Sequence, residues 1–475
     1  MIASEVSPFA KTGGLADVLG TLSVVLERLG HEVCVIAPAY RSVLDGNFDL
    51  RELHLKRAMP MSDRRLEATV VEASLGRNTA VYLIRADPYF DREYLYGTPA
   101  GDYPDNAERF SFFCRAALEL LCQRPVDIVH CHDWQAALAI VALKKQPGRY
   151  AEIAGAKTVF TIHNLGFQGI FGQADWHVLD LDVALFTPAY LEFYGNINLV
   201  KGALIFADKI TTVSPSYAQE IMSAEQGFGL EGVVRQRAAD LVGILNGVDY
   251  QQWNPWMDPY LGCHYGENSL TRKGDCKQEL RRTLGLPDKG DTPIIGMISR
   301  LTPQKGFDLV ETIFDALMQR DVQVVLLGSG APRYEDFFRV ATARYPDRVA
   351  VRIGFDEPLA HQIEAGTDLF LMPSLYEPCG LNQMFSLKYG TIPIVRAVGG
   401  LKDTVQPYDG DAGTGTGFVF EPYTPQALLD VINQSLSAFH DKSAWTALQR
   451  RAMAMDFSWD RSAKRYIDLY RQLVI

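Results

Sequence analysis

Thr367-Asp368-Leu369-Phe370-Leu371-Met372, followed at once by Pro373-Ser374-Leu375-Tyr376-Glu377-Pro378-Cys379-Gly380-Leu381-Asn382-Gln383-Met384, is the stretch that decides the fold. The first six residues read as a buried parallel strand, and a helix-like stretch, Gln383 to Tyr389, comes after the loop. In an open parallel sheet, ligands sit beyond the C-terminal ends of the strands. That rule places Glu377 where a substrate would be. The small residues behind it open a helix whose backbone N–H groups suit a phosphate. A carboxylate beside such a cradle suits a sugar nucleotide: the acid accepts from sugar hydroxyls and the amides take the diphosphate.

Outward from this segment, short apolar runs alternate with helical patterns along the whole chain, the mark of parallel α/β sheets. The first half offers Glu32–Pro38, Thr79–Asp87, Val126–Asp133, Lys157–Asn164 and Lys209–Ser214. The second offers Pro293–Arg300, Val322–Gly330, Val349–Phe355, Thr367–Ser374 and Thr391–Val398. An irregular stretch rich in Trp, Pro, Asn, Asp and Gly lies between them, from Asn246 through Gly266, and the hinge is expected just before it, near Val242–Leu245. The expected architecture is therefore α/β, two Rossmann-like doubly wound domains facing one interdomain cleft, a favoured place for ligands. The last segment, Trp459 to Val474, has Tyr466, Leu469, Tyr470 and Leu473 on one face of an amphipathic helix.

Bulk composition narrows the function. A chain of 475 residues is too long for one ordinary core and fits two domains. Its net charge of −11, from 46 basic and 57 acidic residues, argues against nucleic acid and anionic membranes as partners. Seven cysteines without a CxxC pair argue against a disulfide framework or a zinc site and favour a reducing, cytoplasmic setting. No apolar run reaches the length of a membrane span, and the N-terminus lacks the basic start and long apolar region of a signal peptide.

Each motif carries two readings. Lys11-Thr12-Gly13-Gly14-Leu15-Ala16-Asp17 precedes a helix and is either an anion cradle with a lysine charge or a plain turn with a solvated lysine. It is neither GxGxxG nor a Walker loop. Arg300 and Lys305 flank a proline-limited turn; they are either two surface charges or a pair of cations for a leaving diphosphate, which gains negative charge as the glycosidic bond breaks. His130, His132 and Asp133 close one strand, and His163 and Asn164 another. The HxH spacing lacks a further ligand at a recognisable offset, so sugar or carbonyl hydrogen bonding is favoured over a metal. Cys379 is a thiol beside a helix N-terminus, but no histidine lies near it in sequence, which favours a packing or lining role. Tyr94, Tyr96, Tyr103 and Trp134 are either core and rim aromatics or faces for a glucan.

Taken together, Lys11-Thr12-Gly13-Gly14-Leu15, His130-x-His132-Asp133-Trp134, Thr161-Ile162-His163-Asn164, Asn246-Gly247-Val248-Asp249, Ser299-Arg300-Leu301, Gln304-Lys305-Gly306 and Glu377-Pro378-Cys379-Gly380-Leu381 resemble the bacterial glycogen synthase and plant starch synthase family, in the same order and over essentially the whole chain. The resemblance implies a GT-B architecture: a first domain over 1–243, rejoined by a C-terminal helix at 457–475, and a second over 244–456. It implies transfer of glucose from ADP-glucose to the non-reducing 4-hydroxyl of an α-1,4-glucan (glycogen) with retention. ADP-glucose is then a co-substrate, and neither metal nor other cofactor is implied. By position, Glu377, His163, Arg300, Lys305 and Asp133 would be catalytic. Lys11, Gly14, Asp17, Asn246, Cys379, Gly380 and Leu381 would border the donor, and Tyr96 and Trp134 the acceptor.

Two departures stand out. Related sugar-nucleotide transferases often carry a second Glu eight positions after the first, where this chain has Phe385, as is usual for glycogen synthases. The family also opens with a longer apolar strand, whereas only Met1-Ile2-Ala3 precede Ser4 here. The expectation is that Met1 is an internal methionine of a slightly longer chain, or that the first domain tolerates a short central strand. Two alternatives belong to other classes. An α-glucan phosphorylase would need a pyridoxal phosphate lysine. A non-catalytic glucan-binding protein would keep the aromatics and lose Lys11, Arg300, Lys305 and Glu377.

Overall fold

The computed structural model describes residues 1–61, 64–98 and 100–474. The chain divides into two compact units. The first holds Met1–Val213, Ala218–Gly247 and Trp459–Ile475; the second holds Ser214–Tyr217 and Val248–Ser458. The division lies at 247/248, so Asn246, expected in the second domain, falls in the first unit.

Among the described residues, the first unit contains two four-stranded runs. One orders Cys34–Pro38, Thr79–Arg85, Arg64–Leu75 and Arg51–Met61; the other orders Ile128–His132, Lys157–Ile162, Lys209–Thr212 and Leu241–Gly243. Ile2 joins them, bridging in parallel to Ile36 on one side and Cys131 on the other. The Ile2 N–H donates to the His130 carbonyl (2.8 Å), the His132 N–H to the Ile2 carbonyl (3.0 Å), and the Ala3 N–H to the Ile36 carbonyl (3.1 Å). Three residues thus occupy the centre of the sheet. From there the chain runs to one side and returns on the other, so the switch point, where ligands of such sheets bind, lies between Ile2 and Ile128–His132. The loops leaving these two strands carry Lys11 and Asp133.

Apolar character explains the layers. In the helix Asp133–Lys145 every residue from Gln135 to Leu143 is buried, as expected for a helix apolar nearly all round. The last helix, Trp459–Val474, is one-sided: it buries Trp459, Ala463, Tyr466, Ile467 and Leu469, and Asp460 pairs with Arg28 at 2.5 Å. Its Tyr470 hydroxyl lies 2.7 Å from His130 Nδ1.

Among the described residues, the second unit is built on a six-stranded, wholly parallel sheet. Its order is Val349–Ile353, Gln323–Gly328, Ile294–Ile298, Leu369–Met372, Ile392–Arg396 and Phe418–Phe420. The first three strands run outward one way and the last three the other, so the switch point lies between Ile294–Ile298 and Leu369–Met372. Those are the strands that lead into Arg300 and Glu377.

Several features depart from the sequence reading: Leu241–Gly243, where the hinge was expected, pairs with Lys209–Thr212 as a strand of the first sheet, and Phe418–Phe420 adds a strand to the second where none was expected. The antiparallel pair Arg51–Met61 and Arg64–Leu75 extends the first sheet where no strand was expected. Cys263 and Cys276 are joined in a disulfide, with Cα atoms 6.1 Å apart, because the helix Lys273–Leu284 starts beside the loop that carries Cys263. Thirteen residues of separation without a CxxC pair gave no sign of this pair. Among the described residues no helix is long and apolar enough to cross a membrane.

Tyr466 is fully buried, so Tyr466→Ala should remove about 3–5 kcal/mol from the first unit, the usual cost of emptying an aromatic site. The expected result is a clearly lower urea midpoint by circular dichroism; an unchanged midpoint would mean the last helix adds little to that unit.

Candidate active site

The loop after Ile2 is held by Glu5, which is buried (3% exposed). Its Oε2 accepts from the Thr12 N–H at 2.5 Å, and its Oε1 from the Thr12 hydroxyl at 2.6 Å and the Tyr96 hydroxyl at 2.5 Å. Ser4 Oγ stands 2.7 Å from the same phenol. Burial, and then the neighbouring Glu5, push Tyr96 well above the usual phenol range. Tyr96 therefore braces the Lys11 loop with its hydroxyl. Its ring continues an aromatic series: Phe110 at 6.0 Å, Trp134 at 4.9 Å from Phe110, and Phe171 at 5.5 Å from Trp134. Lys11 pairs with Asp17 at 2.7 Å, their side chains 41% and 36% exposed. The helix Gly14–Arg28 opens there on Gly13, which has no side chain to cap it, and among the described residues nothing lies within 4 Å of where a Gly13 Cβ would stand.

Asp133 leaves its strand with φ 56°, a left-handed conformation uncommon for a non-glycine residue. That turn aims its carboxylate at the next loop, where Oδ1 accepts from the His163 N–H at 2.8 Å. Burial pushes the Asp133 carboxyl up to about 7. His163 Nε2 lies 3.0 Å from His132 Nδ1, and burial pushes the His163 ring down to about 3 and holds His130 and His132 well below the usual imidazole value. His130 spends its nitrogens on Tyr470 and on Thr161 Oγ1 at 2.6 Å. Among the described residues, no three His, Cys, Asp or Glu side chains converge as a metal would need. Asn246 is buried, and its Oδ1 has no hydrogen-bond partner among the described residues.

In the second unit, the turn Pro303–Lys305 lies against the Glu377 loop. The Leu375 N–H donates to the Gln304 carbonyl at 2.8 Å, and Gln304 Nε2 to the Tyr376 carbonyl at 3.3 Å. Gly306, at φ 76°, makes the contact possible: a Cβ there would stand 2.0 Å from the Pro373 oxygen. Lys305 Nζ lies 2.6 Å from Glu377 Oε2, which also accepts from Ser374 Oγ at 3.0 Å. Glu377 is 5% exposed, and its Oε1 makes no hydrogen bond among the described residues. Arg300 is exposed.

Behind Glu377 the chain crosses Gly399-Gly400. A Cβ on Gly399 would stand 2.0 Å from the Glu377 oxygen, and one on Gly400 2.1 Å from that of Cys379. The Gly400 N–H donates to the Glu377 carbonyl at 3.1 Å. Gln383, on the helix Asn382–Tyr389, clamps the loop from the other side through the carbonyls of Cys379 (3.0 Å) and Gly380 (3.1 Å). Cys379 is buried and Gly380 left-handed at φ 72°; with Leu381 they lead into that helix. Phe385 on the same helix lies flat on Trp253, with centroids 3.9 Å apart and planes 1° apart, and Trp253 also stacks with His361 at 3.7 Å.

Three groups are therefore assembled: Glu377 with Lys305 and Ser374; His163 with His132 and Asp133; and Glu5 with Tyr96 and Thr12. Glu5, Ser374, Gly399 and Gly400 were given no site role in the sequence reading, although a Gly-Gly pair just after a strand end is a visible signal of close backbone approach. Phe355, in the loop after Val349–Ile353, was also passed over; it is 82% exposed.

Comparison with known proteins bears on this arrangement. Residues 1–236 match the family model described as starch synthase catalytic domain, and residues 277–446 the one described as glycosyl transferases group 1. A glycogen synthase of Anaeromyxobacter sp. (strain Fw109-5) is 50% identical over 99% of this chain and 98% of its own length. The chain belongs to the glycogen synthase and starch synthase family. A glycogen synthase of Koribacter versatilis is 47% identical over 99% of this chain and 97% of its own. The catalytic domain of starch synthase IV from Arabidopsis thaliana, solved with ADP and acarbose, superposes with a TM-score of 0.92 at 35% identity, covering 100% of this chain and 98% of that one. Sucrose-phosphate synthase from Thermosynechococcus elongatus shares the fold, with a TM-score of 0.62 at 19% identity over 99% of this chain and 98% of its own. The chain is a glycosyltransferase of the GT-B class, a hexosyltransferase with glycogen or starch synthase function, and this decides against the phosphorylase and non-catalytic alternatives.

The histidine cluster predicts a pH response. The unfolded chain protonates His130, His132 and His163 as pH falls through about 6.5, while the folded chain keeps them neutral. The unfolded state then binds more protons, and stability falls with falling pH. Asp133 and Glu364 act oppositely, since the folded chain keeps their protons up to about 7 and about 8, so the net fall is what three histidines leave after two carboxyls. Urea midpoints should therefore drop between about pH 7 and 5, and His163→Gln should flatten that slope; an equal slope in the variant would place the sensitivity elsewhere.

Proposed function

We propose that the chain transfers glucose from ADP-glucose to the 4-hydroxyl at the non-reducing end of an α-1,4-glucan, with retention at the anomeric carbon. The observation that carries this reading is the Lys305–Glu377–Ser374 cluster at the switch point of the six-stranded sheet. Lys305 and Ser374 occupy Oε2 of Glu377, which leaves Oε1 to accept from sugar hydroxyls. Arg300 stands exposed one strand away, a guanidinium suited to a diphosphate. Strands are about 4.8 Å apart, so Phe355, two strands out from Ile294–Ile298, is within a nucleoside's reach and offers an apolar face to the base. Lys11, Gly14 and Asp17 at their helix N-terminus, with Asn246, would border the donor. Asp133, Tyr96 and Trp134 would lie on the acceptor side. The starch synthase IV catalytic domain was solved with ADP bound, which supports the same nucleotide here.

Arg300 and Lys305 supply the positive charge that a leaving diphosphate needs, and this reading requires no metal. A double displacement would need a carboxylate free to attack the anomeric carbon. Glu377 is tied to Lys305 and Ser374 and is better suited to holding the ring. Departure and attack on one face, with the leaving phosphate taking the acceptor's proton, fits these residues better.

Transfer of radiolabelled glucose to glycogen, with ADP-glucose and UDP-glucose in parallel, tests the donor. Label should enter glycogen chiefly from ADP-glucose; equal transfer from both donors would remove the adenine preference. Arg300→Ala should lower kcat about 10²–10³-fold, the usual loss when one charge-stabilising contact goes. Glu377→Gln should abolish most turnover with ADP affinity nearly unchanged. Loss of ADP affinity in proportion to rate would move Glu377 from the sugar to the nucleotide.

A further inference from the structure

His132 and His163 share one hydrogen, and burial decides which ring owns it. His132 is fully buried and stacks on His130 with centroids 4.1 Å apart. Its Nδ1 faces His163 Nε2 at 3.0 Å, whereas its Nε2 is buried with no hydrogen-bond partner among the described residues. Burial keeps both rings neutral, so each carries a single N–H. A hydrogen on His132 Nε2 would be an orphaned buried donor, which native interiors tolerate less than an orphaned acceptor. The hydrogen therefore sits on His132 Nδ1 and is donated to His163 Nε2. His163 must then carry its own hydrogen on Nδ1. His130 cannot take over this role, because Tyr470 and Thr161 occupy its nitrogens.

We propose that His132 is a positioning residue that sets the tautomer of His163, so that this ring presents Nδ1–H as a donor to a hydroxyl oxygen of the transferred sugar. The inference rests on the reading that His163 acts at that sugar. The main chain of His163 is fixed separately by Asp133, so backbone and ring are held from two sides before any substrate arrives, the preorganisation that transition-state stabilisation requires.

Nitrogen-15 labelling of the nine histidines in the full chain reads the tautomers directly. The expected spectrum has His163 neutral with its proton on Nδ1; a proton on His163 Nε2 would overturn the proposal. Kinetics give a second, independent readout. His132→Phe keeps a ring without a donor and should lower kcat on the order of 100-fold, as a misplacement of about 1 Å does, with the KM for donor changed less than about threefold. His132→Asn returns an amide N–H to the Nδ1 position and should rescue most of that loss. Equal rates in the two variants would mean that His132 only packs. Should the Phe variant not fold, the tautomer spectrum and the Asn variant still decide. His163→Ala separates the two levels: full kcat there removes His163 from the sugar, whereas a loss there with an unaffected His132→Phe sinks this inference alone.

Discussion

A carboxylate and an ammonium removed from water together set the terms for the second unit. Lys305 and Glu377 are 18% and 7% exposed in their side chains and 2.6 Å apart. Burying such a pair repays its desolvation only when the geometry is good and the remaining lone pairs are satisfied. Ser374 satisfies one of them, and the rest of the loop exists to hold the pair in register. The bonds between Gln304 and the 375–376 backbone fix the lysine's turn to the glutamate's loop. The contact with Gly399-Gly400 fixes the glutamate's loop to the sheet, and Gln383 closes it from the helix. Residues more than twenty positions apart in sequence thereby hold one short ion pair at the end of a strand.

The first unit solves a parallel problem with hydrogen bonds from neutral partners. Its switch point is made by a single bridging residue, Ile2, and the loops on either side are tied down by buried acids. Glu5 gathers Thr12 and Tyr96 without a cation, and Asp133 accepts the amide of His163 from a left-handed backbone. Left-handed backbone at a bulky polar residue costs energy and persists where the surroundings over-determine it, a pattern concentrated at functional sites.

Ten strands of the two main sheets were legible in the sequence as buried apolar runs, each within a few residues of its observed extent. Their C-terminal ends located Arg300, Glu377, His132 and His163 from pattern alone. The pair Arg51–Met61 and Arg64–Leu75 was not legible. Residues such as Arg64-Arg65 and Lys56-Arg57 break the apolar run that marks a buried parallel strand, and an antiparallel pair at the margin of a sheet needs no such run. Partnerships were hidden for a different reason. Lys305–Glu377, Glu5–Tyr96 and His130–Tyr470 join residues separated by 72, 91 and 340 positions, and local pattern carries no information over such distances. Tyr96 shows the cost: nothing in its local sequence links its hydroxyl to Glu5.

Phe385 has a bearing on how this chain could change over time. Eight positions after Glu377, where the sequence reading noted that related transferases often carry a second Glu, it lies flat on Trp253 and is 8% exposed. An acid introduced there would exchange a ring stack for a carboxylate facing an indole, and a buried charge is expensive unless it is paired and hydrogen-bonded. The two forms of the position are therefore not neighbours in sequence space. A charge at position 385 would have to be met by a change at Trp253, and at the His361 that stacks on it, in the same step.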